Sequence, residues 1–279
     1  MPSARDSIRA AQTEEGEDLW KAIRSQHPEA LENATLNRHL TEDMALYIAK
    51  NKNTPSETLG FLAGDVRFGE VYRVRLAVAK NPKCPPRVAL SLVKHLRLFD
   101  LADITRDKRL PSVFRQKVEL SISEKLPALP PGVKAALARR ACASLVVRLI
   151  ETGDEKLVDS CLESPLITED HLRRLIERPR TGPAVIRSIV NSPKWSLRYS
   201  IKYALARNFH TPGEWVERFV GELRTTDLQD LYNDPKVPAS SKPLIHAELR
   251  SRGRTSEPDE ERVYELRGDE DEHLRGEAS

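Results

Sequence analysis

The sequence predicts an all-α chain built as an α-solenoid, an array of short helical hairpins joined by tight turns of 3-10 character. Three observations carry this. Short apolar runs alternate with stops rich in Asn, Asp, Ser and Pro along most of the 279 residues. Thr or Pro stands at the recurring starts, where Thr can cap a helix and Pro is preorganised for its first turn. Strand signals are weak, because β-branched alternation is short and no Asn-Gly hairpin turn occurs.

Residues 1–18 are rich in Ser, Glu and Gly and read as a flexible lead-in. The first packed helix is expected near Leu19 and Trp20, with Ile23 on the same face. Asn37-Arg38-His39-Leu40-Thr41-Glu42-Asp43 and Ser164-Pro165-Leu166-Ile167-Thr168-Glu169-Asp170 match each other. In both, Thr is expected as N-cap, and the two carboxylates that follow favour the positive end of the helix dipole rather than acid–base chemistry.

A second kind of boundary joins Ile48-Ala49-Lys50-Asn51 to Thr54-Pro55-Ser56-Glu57, and Leu205-Ala206-Arg207-Asn208 to Thr211-Pro212-Gly213-Glu214. Asn is expected to close the first helix in a left-handed conformation, with Thr and Glu boxing the start of the next. The clearest unit is 74–93, in which Val78-Ala79-Lys80-Asn81 is followed by Pro82 and Pro85. Cys84 stands there in the place of Thr54 and Thr211.

Taking Glu42, Pro55, Pro85, Pro111, Glu169, Ser196, Pro212 and Pro238 as anchors gives separations of 13, 30, 26, 58, 27, 16 and 26 residues. Values near 26–30 fit two short helices with their turns. In the wide interval, Pro130-Pro131 is expected to open one long helix running to Thr152, with Leu137, Ala141, Cys142, Leu145, Val146, Leu149 and Ile150 on its apolar face and Gly153 as its stop. The repeat body spans 19–250. Residues 251–279, with five Arg and ten Asp or Glu, read as a disordered acidic tail in which Val263, Tyr264 and Leu266 form a candidate docking segment.

Composition narrows the function classes. With 39% hydrophobic residues the chain can bury a large core. No run reaches the roughly 18–20 apolar residues of a membrane span, and the best, 145–150, is broken by Arg148. A polar N-terminus without an apolar signal segment makes cytoplasmic residence the expectation and membrane association unexpected. Cys84, Cys142 and Cys161 are far apart, and the seven His are scattered, so neither a disulfide framework, a metal site nor a cofactor is expected. Net charge is uneven: −3 over residues 1–18, +11 over 19–250 and −5 over 251–279.

The pattern Val74-Arg75-x-x-Val78-Ala79-x-Asn81-Pro82-x-x-Pro85, with spaced Leu and Val after it, resembles the leucine-rich repeat variant family, a relative of HEAT-like α-solenoids. Weaker copies lie at 46–62, 157–176, 186–201 and 205–219. The resemblance implies a right-handed superhelix of short α and 3-10 helices that offers a curved surface to macromolecules. Its spacings are less even than in that family. Residues 1–83 contain no Cys, so the iron–sulfur cluster of the family's founding type is not carried over.

Two functions follow as expectations. The first is a non-catalytic scaffold that binds another protein, with no small-molecule substrate. The second is nucleic-acid binding through a basic groove, where Arg187, Lys194, Arg198 and Lys202 lie in sequence beside Trp195, Tyr199 and Tyr203, cations for phosphates beside rings for bases. Helix over 196–206 would put Arg198 and Lys202 on one face. Arg173, Arg174, Arg178 and Arg180 extend the patch. The same cations also suit the solvated sides of amphipathic helices. A sharper form resembles the HEAT-like alkylpurine DNA glycosylases, yet no catalytic Asp with flanking Trp residues can be matched, and catalysis is not expected. The acidic tail could compete with an anionic partner for the basic body.

Overall fold

The structure, a computed structural model, describes residues 4–13 and 15–253. All but the first three residues of the expected acidic tail lie outside them. The chain divides into two compact units, Met1–Ile167 and Thr168–Ser279, where the sequence suggested one repeat body. Nineteen α-helices are present among the described residues, and no strand.

The first unit holds α1 (Ala4–Ala11), α2 (Gly16–Arg24), α3 (Pro28–Leu36), α4 (Glu42–Lys50), α5 (Ser56–Gly64), α6 (Tyr72–Ala79), α7 (Pro86–Val93), α8 (Leu98–Arg106), α9 (Ser112–Lys125), a 3-10 turn at Leu126–Ala128, α10 (Pro131–Arg140), α11 (Ala143–Ile150) and α12 (Glu155–Leu162). The second holds α13 (Glu169–Ile176), α14 (Pro183–Asn191), α15 (Pro193–Ser196), α16 (Tyr199–Ala206), α17 (Gly213–Glu222), α18 (Thr225–Asn233) and α19 (Lys242–Ser251). Most are eight to ten residues long, too short to persist alone in water. Most pack on the next helix or the next but one, as α4 does on α6, α6 on α7, α16 on α17 and α17 on α19, while α13 packs on α16. Apolar burial between sequential neighbours therefore supplies the stability, as in the buried cluster of Ala206, Val216, Val220, Leu223, Leu228, Leu231, Val237, Ile245 and Leu249.

Three expectations need correction. The stretch read as a lead-in contains α1, with Ser7 and Ala11 buried, packed on α2 and α3. The long helix over 130–152 is two helices, broken where Ala141 is extended and Cys142 becomes the N-cap of α11. Neither Ala nor Cys signals a stop, so the period alone merged two different faces. Gly153 does supply the expected positive φ, 75°, just past α11.

The third correction concerns the turns. Thr41 and Thr168 are N-caps as expected, accepting from the amides of Met44 and His171. Thr54 and Thr211 are not: the N-caps are Pro55 and Pro212. Each Thr hydroxyl is buried beneath its turn and donates backwards to a last-turn carbonyl of the preceding helix, Thr54 to Ile48 at 2.6 Å and Thr211 to Leu205 at 2.7 Å. Thr181 does the same to Leu175 at 2.5 Å. Nor does Asn close helices by left-handed backbone, since Gln26 is the one non-glycine residue with positive φ among those described.

Asn works through its side chain instead. In seven turns an Asn or Asp at position i (Asn37, Asn51, Asp65, Asn81, Asp107, Asn208, Asp234) accepts the amide of i+2 at 2.8–3.1 Å. Its own carbonyl accepts the amide of i+3, the first residue to turn back inward. Three of the four Asn amides then reach the helix end of an earlier hairpin. Asn37 donates to Ala11 and Thr13, Asn81 to Ala49 and Asn51, and Asn208 to Ile176.

A substantial part of this framework occurs twice, at a shift of 127 residues. Thr54 on Ile48 becomes Thr181 on Leu175, and Asn81 on Ala49 becomes Asn208 on Ile176. Arg67 stacked on buried Phe68 at 4.8 Å becomes Lys194 on buried Trp195 at 4.8 Å. Tyr72 with Arg97 and Asp100 becomes Tyr199 with Arg224 and Asp227. The segment from Thr168 to Arg252 thus repeats the arrangement that begins at Thr41.

Two expected outcomes follow. Cys84 occupies the position of Thr211 in the earlier copy, but its thiol contacts Pro85 O at 3.7 Å rather than a helix-end carbonyl. Cys84→Thr should restore the missing hydrogen bond and raise stability by about 0.5–1 kcal/mol in urea unfolding; a loss would show that the turn cannot seat the hydroxyl. The Arg109 side chain, donating to Asp107, holds that carboxyl below its usual range against the opposing effect of burial. A depressed native pKa contributes stability above the unfolded value, and that contribution is lost as pH falls through the native value. Asp107→Asn keeps the acceptor for the Arg109 amide, so its urea midpoint should drop less than the native chain's between pH 6 and pH 3. The difference should be small, because Arg109 is exposed and the pair is screened.

Candidate functional site

The patch read from the sequence is mostly occupied with holding the second unit together. Trp195 is 5% exposed, so its ring belongs to the core. Tyr199 has its ring under the Arg224 guanidinium at 5.4 Å. Its hydroxyl accepts the Arg224 amide at 3.0 Å and donates to Asp227, and burial, then the bond to Asp227, pushes that hydroxyl above its ordinary range. Because Arg224 is the N-cap of α18 and Asp227 its third residue, the tyrosine relays a capping box that a carboxylate would otherwise close directly. Tyr72 does this for α8 in the earlier copy.

Lys202 pairs with Glu222, whose carboxyl is held low chiefly by that hydrogen bond. The expected helix over 196–206 begins at Tyr199, with Arg198 as its N-cap, so Arg198 and Lys202 stand one turn apart. Arg173 and Arg174 both engage Asp170, and Arg173 also holds Glu177. Arg187, Lys194 and Arg198 are exposed, and Tyr203 is partly buried against the core cluster.

A different place gathers cations around an open ring. Three turns of the second unit, those after α13, α16 and α18, line an open cleft of about 660 Å³. Asn208 ties the second turn to the first through Ile176 O, and the Arg207–Asp234 ion pair ties the third to the second. Ile176, Thr181 and Ala204 are its buried members. Arg178, Pro179 and Lys236 stand exposed, Arg207 and His210 half-buried. Phe209 is 76% exposed, with its ring meeting His210 edge-on at 5.5 Å.

The acids beside the cleft are engaged already. Glu177 is held by Arg173, and Asp234 lies below its usual range because it accepts the Lys236 amide and faces Arg207. Of the positions read from the sequence, Arg178 alone lines this cleft, and Arg180 lies in the same turn.

Comparison with the earlier copy separates framework from surface. Asn208, Thr181, Ala204 and Arg207 correspond to Asn81, Thr54, Ala77 and Lys80, so their types are retained. Phe209 and His210 correspond to Pro82 and Lys83. Pro fills the first tip position at 82, 165, 179 and 235, as suits its fixed φ, and a cation fills it at 38, 52 and 108. Phe209 therefore answers no demand of the turn. Its signal in the sequence was an aromatic directly after a turn Asn, in a place otherwise held by Pro or a cation except for Val66.

Among the described residues no three or more His, Cys, Asp or Glu come together in a metal-binding group. Burial pushes the Cys84 and Cys161 thiols up to about 12, far from reactive thiolates. No described helix is long and apolar enough to cross a membrane. No protein-family model, curated protein or solved structure matches the chain.

The two aromatic positions should separate in a stability measurement. Tyr199→Phe and Tyr72→Phe each remove a capping relay and should cost about 1 kcal/mol in urea unfolding. Phe209→Ala should fall within about 0.5 kcal/mol of the native chain. An equal cost at Phe209 would make its ring part of the packing.

Proposed function

We propose that this chain is a non-catalytic interaction protein, an α-solenoid of the leucine-rich repeat variant or HEAT-like kind that holds another protein against its turn surface. Sequential packing of short helices supports the solenoid reading, since such units bury their apolar faces only against neighbours and leave their turns free for recognition. The single observation that carries the functional reading is the contrast between the two copies of the turn framework. Asn81 and Asn208, and Thr54 and Thr181, make corresponding bonds to helix-end carbonyls in both copies, whereas the tips change from Pro82 and Lys83 to Phe209 and His210. An exposed large aromatic set among cations has the character of a binding hot spot.

Nucleic acid is the second reading, favoured by that same juxtaposition of a stackable ring with Arg178, His210 and Lys236. The patch around Trp195 and Tyr199 lends it less support, because both rings are engaged in the fold.

A photoreactive amino acid placed at 180, 209 or 236, compared with one at 187, distinguishes the readings in extract of the source cell. Nuclease-resistant adducts to a protein from the first three positions, and not from 187, are the expected result. Adducts that disappear with nuclease would replace the protein partner with nucleic acid, and adducts from 187 alone would move the surface elsewhere.

A further inference from the structure

We infer that a row of cations on the first unit, Lys50, Lys52, Lys83, Arg106 and Lys108, is a binding site for the phosphate backbone of a duplex nucleic acid. The inference does not rest on the cleft of the second unit and stands or fails without it.

The row is built from turns that the fold fixes side by side. Those after α4, α6 and α8 carry the five cations, either in the turn itself or at the end of the helix that enters it. Asn81 joins the second turn to the first by donating to Ala49 O at 2.8 Å and Asn51 O at 3.0 Å. Lys80 joins the third to the second, since its Nζ stands 4.0 Å from Asp103 and its charge helps to hold Asp107 low. Neighbouring helices pack about 8–10 Å apart, so three turns span about 20 Å.

The five cations are exposed, and none takes part in an ion pair among the described residues. Asp103 is taken by Arg140 and Lys80, and Asp107 by Arg109. Two exposed acids stand in neighbouring elements, Glu57 in the first turn of α5 and Glu163 in the hollow that Arg106 shares with Arg139. At the shift of 127 residues the five positions become Glu177, Pro179, His210, Asn233 and Pro235. That copy's own exposed cations, Arg180 and Lys236, fall at the places of Asn53 and Arg109. Asn81 and Asn208 make the corresponding bond in both copies, so the turn framework requires none of the five cations.

The chemistry of the row selects the ligand. No large hydrophobic residue is exposed at 50–54, 80–84 or 106–110. Protein interfaces centre on apolar and aromatic anchors and are poor in Lys, and single strands are held by rings on which bases stack. Repeated cations without either suit a duplex, one strand of which presents about six phosphates over about 20 Å. Such contacts position the duplex without reading its sequence.

The test is fluorescence anisotropy of the full chain with a labelled DNA duplex of about 20 bp, and with the matching RNA duplex, between about 50 mM and 200 mM salt. Five phosphate contacts give a slope of log affinity against log salt of about −4.5, a loss of about 500-fold over that range. Lys50→Gln, Lys52→Gln, Lys83→Gln, Arg106→Gln and Lys108→Gln together should remove nearly all of it. Should that chain fail to fold by circular dichroism, Lys52→Gln, Lys83→Gln and Lys108→Gln alone should flatten the slope by about 2.7. Lys94→Gln, Arg148→Gln, Lys156→Gln, Arg187→Gln and Arg250→Gln remove the same charge from exposed positions elsewhere and should keep the native slope. Binding of either duplex in this pattern supports the inference, and the tighter one identifies the source as DNA or RNA. Equal flattening in both sets would assign binding to net charge and overturn the row, as would a native chain that binds neither duplex. Poly-glutamate that displaces the duplex at equal charge concentration would overturn it in favour of an acidic protein. A loss on Phe209→Ala, with the Gln substitutions in the row without effect, would place the nucleic acid in the cleft and overturn the row alone.

Discussion

The fold depends on finding partners for the carbonyl groups at the ends of its short helices. An α-helix leaves its last four carbonyls unpaired whatever its length, so a chain of eight- and nine-residue helices carries that cost at nearly every turn. Two side chains meet it here. A Thr six residues downstream returns to its own helix, and an Asn from a later hairpin donates to the end of an earlier one. Arg67 and Arg252 perform the second task with guanidinium groups, on Thr35 and Asn37 and on the end of α17. Each bond is worth only about 1 kcal/mol net. Its larger effect is to specify register, because a slipped hairpin would bury those carbonyls without partners.

This explains which parts of the fold were legible in sequence. The boundaries at Asn51, Asn81 and Asn208 could be read because the residue types needed for the turn are few. The bonding is not legible locally, since a Thr before Pro and Glu resembles an N-cap, and only the packed turn shows that its hydroxyl faces backwards. The duplication was present in the anchors themselves: Glu42 and Glu169, Pro85 and Pro212, and Pro111 and Pro238 share one shift of 127 residues. The break at Ala141 and Cys142 left no such mark, because small apolar residues fit either a helix interior or a buried turn.

The candidate site was harder to read for a related reason. Cations beside aromatics in sequence suggested a nucleic-acid platform at Trp195 and Tyr199, but sequence proximity does not tell a ring spent on the fold from a ring left over. Phe68 and Tyr72, the counterparts of those two residues, are spent the same way in the earlier copy. A second copy within one chain acts as a control that a single site lacks. Positions with the same bonds in both copies are accounted for by folding.

Phe209 is the position left unaccounted for by that comparison. Its backbone sits in a turn whose hydrogen bonds, Asn208 to the His210 amide and Thr211 to Leu205, have no use for the side chain between them. A Pro there would constrain the unfolded chain and add stability, so the aromatic forgoes that gain while exposing apolar surface to water. Scattered apolar side chains on a surface are ordinary. One that stands in a tip position held elsewhere mostly by Pro or a cation is not explained by the hydrogen bonding of the turn.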